Sequence, residues 1–355
     1  SNASTKAGAR EAKDFLEKMK TKGFSDKDIK RMMEIRERAD AVYGGLVNLW
    51  GFFLQMTQTS QLVEETRHRG GFAPDIDEFI RQLPEFETNP DTLRVFLRRY
   101  VTPEVESYKP KTIELHLLLD LSGSMDVKKR RETQETVYAL AKSLVQFRRN
   151  SEALANEGDP PTTINLRLIG FGSTHQDLLE RTPFETEEGV LDDSHPADLD
   201  DRLWRSILAI GHIDLKGTQD APALQEVLND VSRPDREGQF TQGDRVAVIV
   251  EMTDGETETV GTSMAIVDAL NRRSNVYARG VQIPGQLQSD TPTKPTDDDP
   301  HVMHEIVPET GRFNQVWREN GLRLDKIEQL RGIVLKLLIK ALMDKHKLSF
   351  LNWCY

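Results

Sequence analysis

Ile113-Glu114-Leu115-His116-Leu117-Leu118-Leu119-Asp120-Leu121-Ser122-Gly123-Ser124-Met125 is the stretch whose reading decides the fold. Its five aliphatic residues between Ile113 and Leu119 form a nearly continuous apolar run, the pattern of a strand covered on both faces in a parallel sheet. The run ends on oxygen-bearing side chains. Asp120, Ser122 and Ser124 place a carboxylate and two hydroxyls close together, and Gly123 lets the backbone turn tightly between them. From Asp126 onward Val127, Val137, Leu140, Ala141, Leu144 and Val145 fall at helical spacing, so the oxygen cluster sits where a strand hands over to a helix. In an open α/β sheet, ligands bind at that place. All the donors are hard oxygens, which suit Mg²⁺, Mn²⁺ or Ca²⁺ better than zinc or copper.

Asp-Leu-Ser-Gly-Ser after an aliphatic strand resembles the first motif of the metal-ion-dependent adhesion site of von Willebrand factor type A domains, whose pattern is Asp-x-Ser-x-Ser. Two later stretches resemble its distant partners. Lys216-Gly217-Thr218-Gln219-Asp220, followed by the helix-like Ala221 to Leu228, matches the loop that supplies a threonine, Thr218 here. Arg245-Val246-Ala247-Val248-Ile249-Val250-Glu251-Met252-Thr253-Asp254-Gly255 matches the strand and loop that supply a second aspartate, Asp254. An isolated copy of the first motif reads more readily as a helix cap. Three motifs in the family's order distinguish the two readings. One departure stands out, because Lys216-Gly217 occupies a place where many relatives carry two glycines.

The resemblance covers roughly residues 110–345. It implies that Ser122 and Ser124 bind a divalent ion directly, and that Asp120, Thr218 and Asp254 complete or position the shell. Mg²⁺ takes six oxygens at about 2.0–2.1 Å, and neutral hydroxyls leave it under-neutralised. An Asp or Glu carboxylate from a protein partner is then the natural remaining ligand. The implied role is a non-enzymatic binding module. An N-terminal helical arm on one such domain is most similar to prokaryotic proteins that act as adaptors or co-chaperones beside AAA+ ATPases of the MoxR kind. The alternative is an RNA-associated protein of the same family, permitted by the basic clusters Lys128 to Arg131, Arg148-Arg149 and Arg272-Arg273. A metal-dependent hydrolase is the least supported reading.

Bulk properties bound these readings. The chain of 355 residues can bury one large core or two modest ones. Its formal net charge of −11 opposes broad nucleic-acid binding and favours solubility. The single cysteine, Cys354, excludes an intrachain disulfide and fits a reducing, cytoplasmic compartment. No run approaches the ~20 apolar residues that span a bilayer. Phosphate-loop and Gly-x-Ser-x-Gly motifs are absent, so enzymatic readings find no motif. His116 reads as a packed strand residue, His175 as a loop histidine near the site edge, and His301 and His304 as surface residues.

In chain order, Ser1-Asn2-Ala3 matches the remnant of a cleaved expression tag. Residues 4–109 read as a helical region, with one helix from about Ala9 to Lys22 and a second opened by Ser25 and Asp28. Residues 110–345 read as the α/β domain, a doubly wound, mostly parallel sheet flanked by helices, and 346–355 as a tail. Within the domain, strands are expected at 113–120, 164–171, 245–253 and 276–283. Helices are expected from Asp126 to about Asn150 and over 203–210, 221–228 and 263–271. The acidic stretch Leu178 to Asp201 reads as a solvated insertion. Phe313 to Trp317 reads as a short strand, followed by an amphipathic helix from about Asp325.

Overall fold

The computed structural model describes residues 13–39, 110–153, 162–184, 189–192, 195–255, 257–284, 311–324 and 330. The expected helix from about Asp325 and the segment 40–109 lie largely or wholly outside these residues. A six-stranded sheet in the order β3-β2-β1-β6-β7-β8 organises the chain. Its strands are β1 (Thr112–Asp120), β2 (Thr163–Phe171), β3 (His175–Pro183), β6 (Arg245–Thr253), β7 (Val276–Gln282) and β8 (Gly321–Arg323). A separate two-stranded pair joins β4 (Leu191–Asp192) to β5 (His195–Leu199). All pairings in the large sheet are parallel except β2 with β3. The doubly wound, mostly parallel α/β fold expected from the sequence is therefore present.

The aliphatic run explains the position of β1. Parallel strands bury both faces, and β1 lies between β2 and β6 with Leu117, Leu118 and Leu119 fully buried. Each such leucine contributes about 2 kcal/mol by leaving water. Ile113, Leu115, Leu117 and Leu119 face a core shared with α1 (Val127–Ala153) and α2 (Asp201–Ala209). Leu118 faces the opposite core, built with α3 (Ala221–Val231), α4 (Pro234–Gln242), α5 (Val260–Asn271) and α6 (Arg312–Trp317). The chain leaves β1 toward β2 on one side and later returns to β6 on the other. That reversal of strand order opens a crevice at the carboxyl ends of β1 and β6.

Residues 13–21 and 26–39 are helical and pack on the first core. Ser25 starts the second run by a reciprocal cap: the Asp28 amide donates to Ser25 Oγ at 3.1 Å, and Ser25 Oγ donates to the Asp28 carboxylate at 2.6 Å. Phe15 meets Trp204 edge to face at 6.2 Å, and Tyr138 stacks on the same indole at 4.9 Å. Arg31 reaches α1, donating to Gln134 at 3.0 Å and pairing with Glu135.

Two expectations are corrected. The start of the acidic stretch is ordered as β3, an antiparallel edge strand. Gln176, Asp177, Glu180 and Arg181 are exposed, as an edge in solvent permits, while Leu179 and Thr182 are buried. Residues 312–317 are helix rather than strand. Phe313, Val316 and Trp317 stand at helical spacing, and all three are buried. The strand at this edge is β8, four residues past Trp317, where Gly321 lies against the Phe313 ring and Trp317 Cβ.

Candidate metal centre

Asp120 is the last residue of β1 and is fully buried. Its Oδ1 accepts the Ser122 amide at 2.8 Å, and its Oδ2 accepts the Thr253 hydroxyl at 2.6 Å. Burial raises its carboxyl above the ordinary aspartate value, and the neighbouring Asp254 adds to the rise. The hydrogen bonds from Ser122 and Thr253 oppose it. Asp120 thus acts as an anchor that aims the loop after β1, with both its oxygens engaged by protein donors.

That loop presents the serines. Ser122 Oγ and Ser124 Oγ lie 2.9 Å apart, and Ser124 Oγ donates to Asp254 Oδ1 at 2.7 Å. Ser124 is exposed whereas Ser122 is buried, so the cluster opens outward. Asp254 follows the last residue of β6, and Thr253 ties it to Asp120 from below. Thr218 sits against Gly255: a Cβ built there would lie 3.2 Å from Thr218 Oγ1. The structure therefore brings Asp120, Ser122, Ser124 and Asp254 into one hydrogen-bonded cluster and sets Thr218 beside it.

Backbone bonds at the carboxyl edge of the sheet hold the loops together. The Leu121 amide donates to Phe171 O at 2.8 Å, Leu215 to Leu121 O at 2.9 Å, and Ser173 to Leu215 O at 2.8 Å. Gln219 donates to Gly172 O and Glu258 to Thr218 O, both at 2.9 Å. Gly172 permits this approach, because a side chain there would meet the carbonyl oxygens of Leu215 and Lys216 at 2.7 Å. Lys216 adopts a φ of 58°, the left-handed conformation that glycine takes without cost. The loop thus follows a glycine-like path despite its lysine.

Two basic residues of the first turn of α1 belong to the site, although the sequence shows them only as part of a charged run. Lys129 Nζ pairs with Asp254 Oδ2 and donates to Ser124 O at 3.2 Å. Arg130 fans out over the back of the loop, donating to Met125 O at 2.7 Å, Ser122 O at 3.0 Å and Ile213 O. The signal available in the sequence was position alone, five and six residues beyond Ser124. Thr253, directly before Asp254, also belongs to the site: its hydroxyl donates to Asp120 Oδ2 and accepts the Gly255 amide at 3.1 Å.

Two further acidic clusters are satisfied by the protein's own donors and cations. Asp220 accepts hydroxyls from Thr257 and Ser263 at 2.5 Å and from Thr259 at 3.1 Å, fixing the segment between β6 and α5. Glu114, His116 and Asp230 come together near the start of β1. The guanidiniums of Arg236 and Arg245 pair with Glu114, while Arg181 and Arg236 pair with Asp230, so positive charge already fills that position. His116 is buried there, 3.4 Å from Glu114, as a core residue. His175 is the first residue of β3 rather than a loop residue, and its Nε2 lies 2.8 Å from Glu226.

The oxygen set at the edge of β1 and β6 fits a hard divalent ion. Two hydroxyls and one carboxylate oxygen lie in a chain of contacts below 3 Å, without any sulfur or imidazole. Among the described residues, no helix is long and apolar enough to cross a membrane.

No protein-family model matches the chain. A protein of Treponema pallidum (strain Nichols), described only as uncharacterized, is 28% identical over 286 residues, which is 78% of this chain and 42% of that protein. The match therefore spans less than half of that relative's length. Among solved structures, the conserved hypothetical protein BatB of Bacteroides thetaiotaomicron is 15% identical, covering 65% of this chain and 98% of that one, with a TM-score of 0.35. The manganese-loaded TRAP protein of Plasmodium vivax is 16% identical, covering 65% and 73%, at 0.34. The proximal thread matrix protein 1 of the mussel byssus, with a zinc-occupied MIDAS motif, is 13% identical, covering 66% and 48%, at 0.38.

Proposed function

We propose that this chain is a divalent-cation-dependent protein-binding module of the von Willebrand factor A type, working without catalysis. The supporting observation is the contact chain Ser122–Ser124–Asp254, which gathers donors from two loops at the switch point of the sheet. Ser122 and Ser124 would hold the ion, with Thr218 and Asp254 at its flank and Asp120 orienting the loop from beneath. Mg²⁺ is the proposed ion, with Mn²⁺ or Ca²⁺ as substitutes that the same oxygens accept. A bound ion would supply Lewis acidity toward a carboxylate, and Ser124, the exposed member of the set, marks the side from which a partner's Asp or Glu would arrive. The finer reading, an adaptor for a MoxR-type AAA+ ATPase in the cytoplasm, rests on the sequence resemblance.

An RNA-associated role is less favoured. Within the run Lys128 to Arg131, Lys129 and Arg130 are turned into the metal loop, and Arg148 and Arg273 pair with Glu152 and Glu237. Half of the eight basic residues in those clusters are thus engaged by the protein's own groups rather than presented to a phosphate backbone.

The test is direct. Mn²⁺ binding followed by electron paramagnetic resonance should show one site in wild type and none in Asp120→Ala. Capture of a purified MoxR-type ATPase should require the ion and disappear with chelator. Equal Mn²⁺ binding by both proteins would sink the metal centre, and chelator-insensitive capture would sink the adhesion mechanism.

A further inference from the structure

The Lys129 side chain is only 7% exposed, and its ammonium touches two groups, the Asp254 carboxylate and the Ser124 carbonyl. Its position in the first turn of α1 is electrostatically unfavourable, because the amino end of a helix already carries positive potential. A buried ammonium persists at such a place only when a paired anion compensates it, and Asp254, itself 1% exposed, is that anion. The pair stands inside the oxygen set assigned to the ion, since the other oxygen of the same carboxylate accepts Ser124 Oγ.

Given the metal reading above, on which this step rests, we propose that Lys129 sets the charge of the loaded centre and thereby selects an anionic partner. Asp120 and Asp254 bring two negative charges, and the hydroxyls bring none. A divalent ion balances them, so that only the ion's own local field would attract a carboxylate. With Lys129 counted, the loaded site carries one net positive charge, which a single Asp or Glu from the partner neutralises. The same charge repels the metal ion. Lys129 therefore trades cation affinity for carboxylate affinity, and its two effects have opposite signs. A lysine that merely braces the loop would strengthen both affinities together.

That opposition gives the experiment. Lys129→Gln removes the charge while keeping a hydrogen-bonding end toward Asp254 and Ser124, Lys129→Met serves as a second neutral variant, and Lys129→Arg keeps the charge. Mn²⁺ affinity is read by paramagnetic resonance. Acetate, the carboxylate probe, is titrated onto the Mn²⁺-loaded proteins and followed by loss of water-proton relaxation as it displaces bound water. The expected result for the neutral variants is Mn²⁺ binding about tenfold tighter and acetate binding about tenfold weaker. Lys129→Arg should stay near wild type on both readouts. Both affinities falling together, or neither moving, overturns the role of Lys129 while leaving the metal centre intact. Failure of wild type to bind Mn²⁺ overturns the metal reading and this proposal with it.

Discussion

Ser124 Oγ donates a 2.7 Å hydrogen bond to Asp254 Oδ1, joining the loop after β1 to the loop after β6 across 130 positions of sequence. Ser124 is exposed and packs little, so its hydroxyl contributes to the site rather than to the core. Ser124→Ala removes a proposed ligand and should lower Mn²⁺ affinity by at least the roughly 10–100-fold that follows when only a ligand's hydrogen-bonding partner is lost. Stability should shift by less than about 0.5 kcal/mol. Paramagnetic titration beside a thermal melt checks both, and a large loss of stability with intact metal binding would reverse the assignment.

Gly172 and Gly123 form a matched pair of tests. A Cβ at Gly172 would strike Leu215 Cβ at 2.5 Å and two carbonyl oxygens at 2.7 Å, all on the segment leading to Thr218. None of these atoms is the free end of a flexible side chain. Gly172→Ala should therefore cost roughly 1–3 kcal/mol and weaken Mn²⁺ binding by displacing Thr218. Gly123 has nothing within 4 Å of its built Cβ, so Gly123→Ala should leave stability nearly unchanged. Equal denaturation midpoints for the two variants would contradict the close approach.

Arg130 holds the metal loop from behind through carbonyls of Ser122, Met125 and Ile213. Hydrogen bonds from a charged donor contribute about 1.5–3 kcal/mol each, and the carbonyls left behind are partly buried. Arg130→Met should therefore lower stability by several kcal/mol in urea unfolding and weaken Mn²⁺ binding as well. An unchanged midpoint would show that water replaces the guanidinium without loss.

What the sequence disclosed and concealed follows from where each signal resides. β1 and β6 were legible because strands buried on both faces must be apolar throughout, and the hydroxyl-rich turn after β1 lies within a few residues. Lys129 and Arg130 read as part of a basic cluster open to RNA because their partners are remote: Asp254 lies 125 positions away and Ile213 lies 83. β3 was hidden because the backbone of β2 holds it, while Arg167 links its Asp177 to Glu226 of α3. Edge strands need charge rather than apolar alternation. Phe313 to Trp317 misled because aromatic and β-branched residues favour strands when counted, whereas their spacing of three and four places them on one helical face. That face covers Gly280 of β7, where the Trp317 ring leaves no room for a side chain.

Glu114 ties the start of β1 to acid stability. Burial alone would raise its carboxyl, but His116, Arg236 and Arg245 prevail and hold it at about 2, below its ordinary 4.5. A lowered acid contributes stability that is full above about 4.5 and is lost as the pH falls toward 2. The loss amounts to roughly 3 kcal/mol, an order-of-magnitude figure for a coupled buried group. Glu114→Gln should be destabilised at neutral pH, because three guanidiniums then lack part of their counter-charge, and its stability should be flatter between pH 4.5 and 2. Urea midpoints across that range check it, and parallel curves for variant and wild type would contradict the ion cluster.

Glu251 should produce the opposite slope. It lies on β6 within the core beneath α6, wholly buried, with Oε2 unpartnered. Burial pushes its carboxyl well above the ordinary 4.5, Asp220 and Asp120 push the same way, and only a hydrogen bond from Trp317 opposes them. For a raised acid, the folded state binds the proton more tightly than the unfolded chain. Its stabilising contribution is therefore full below about 4.5 and declines as the pH rises toward the folded value. Glu251→Gln keeps an oxygen for Trp317 and cannot ionise. It should match wild type near pH 4.5 and unfold at a higher temperature at pH 8, removing the alkaline limb while leaving the acid limb set by Glu114. A Glu251→Gln melt that falls with rising pH as steeply as wild type would place the source of that limb elsewhere.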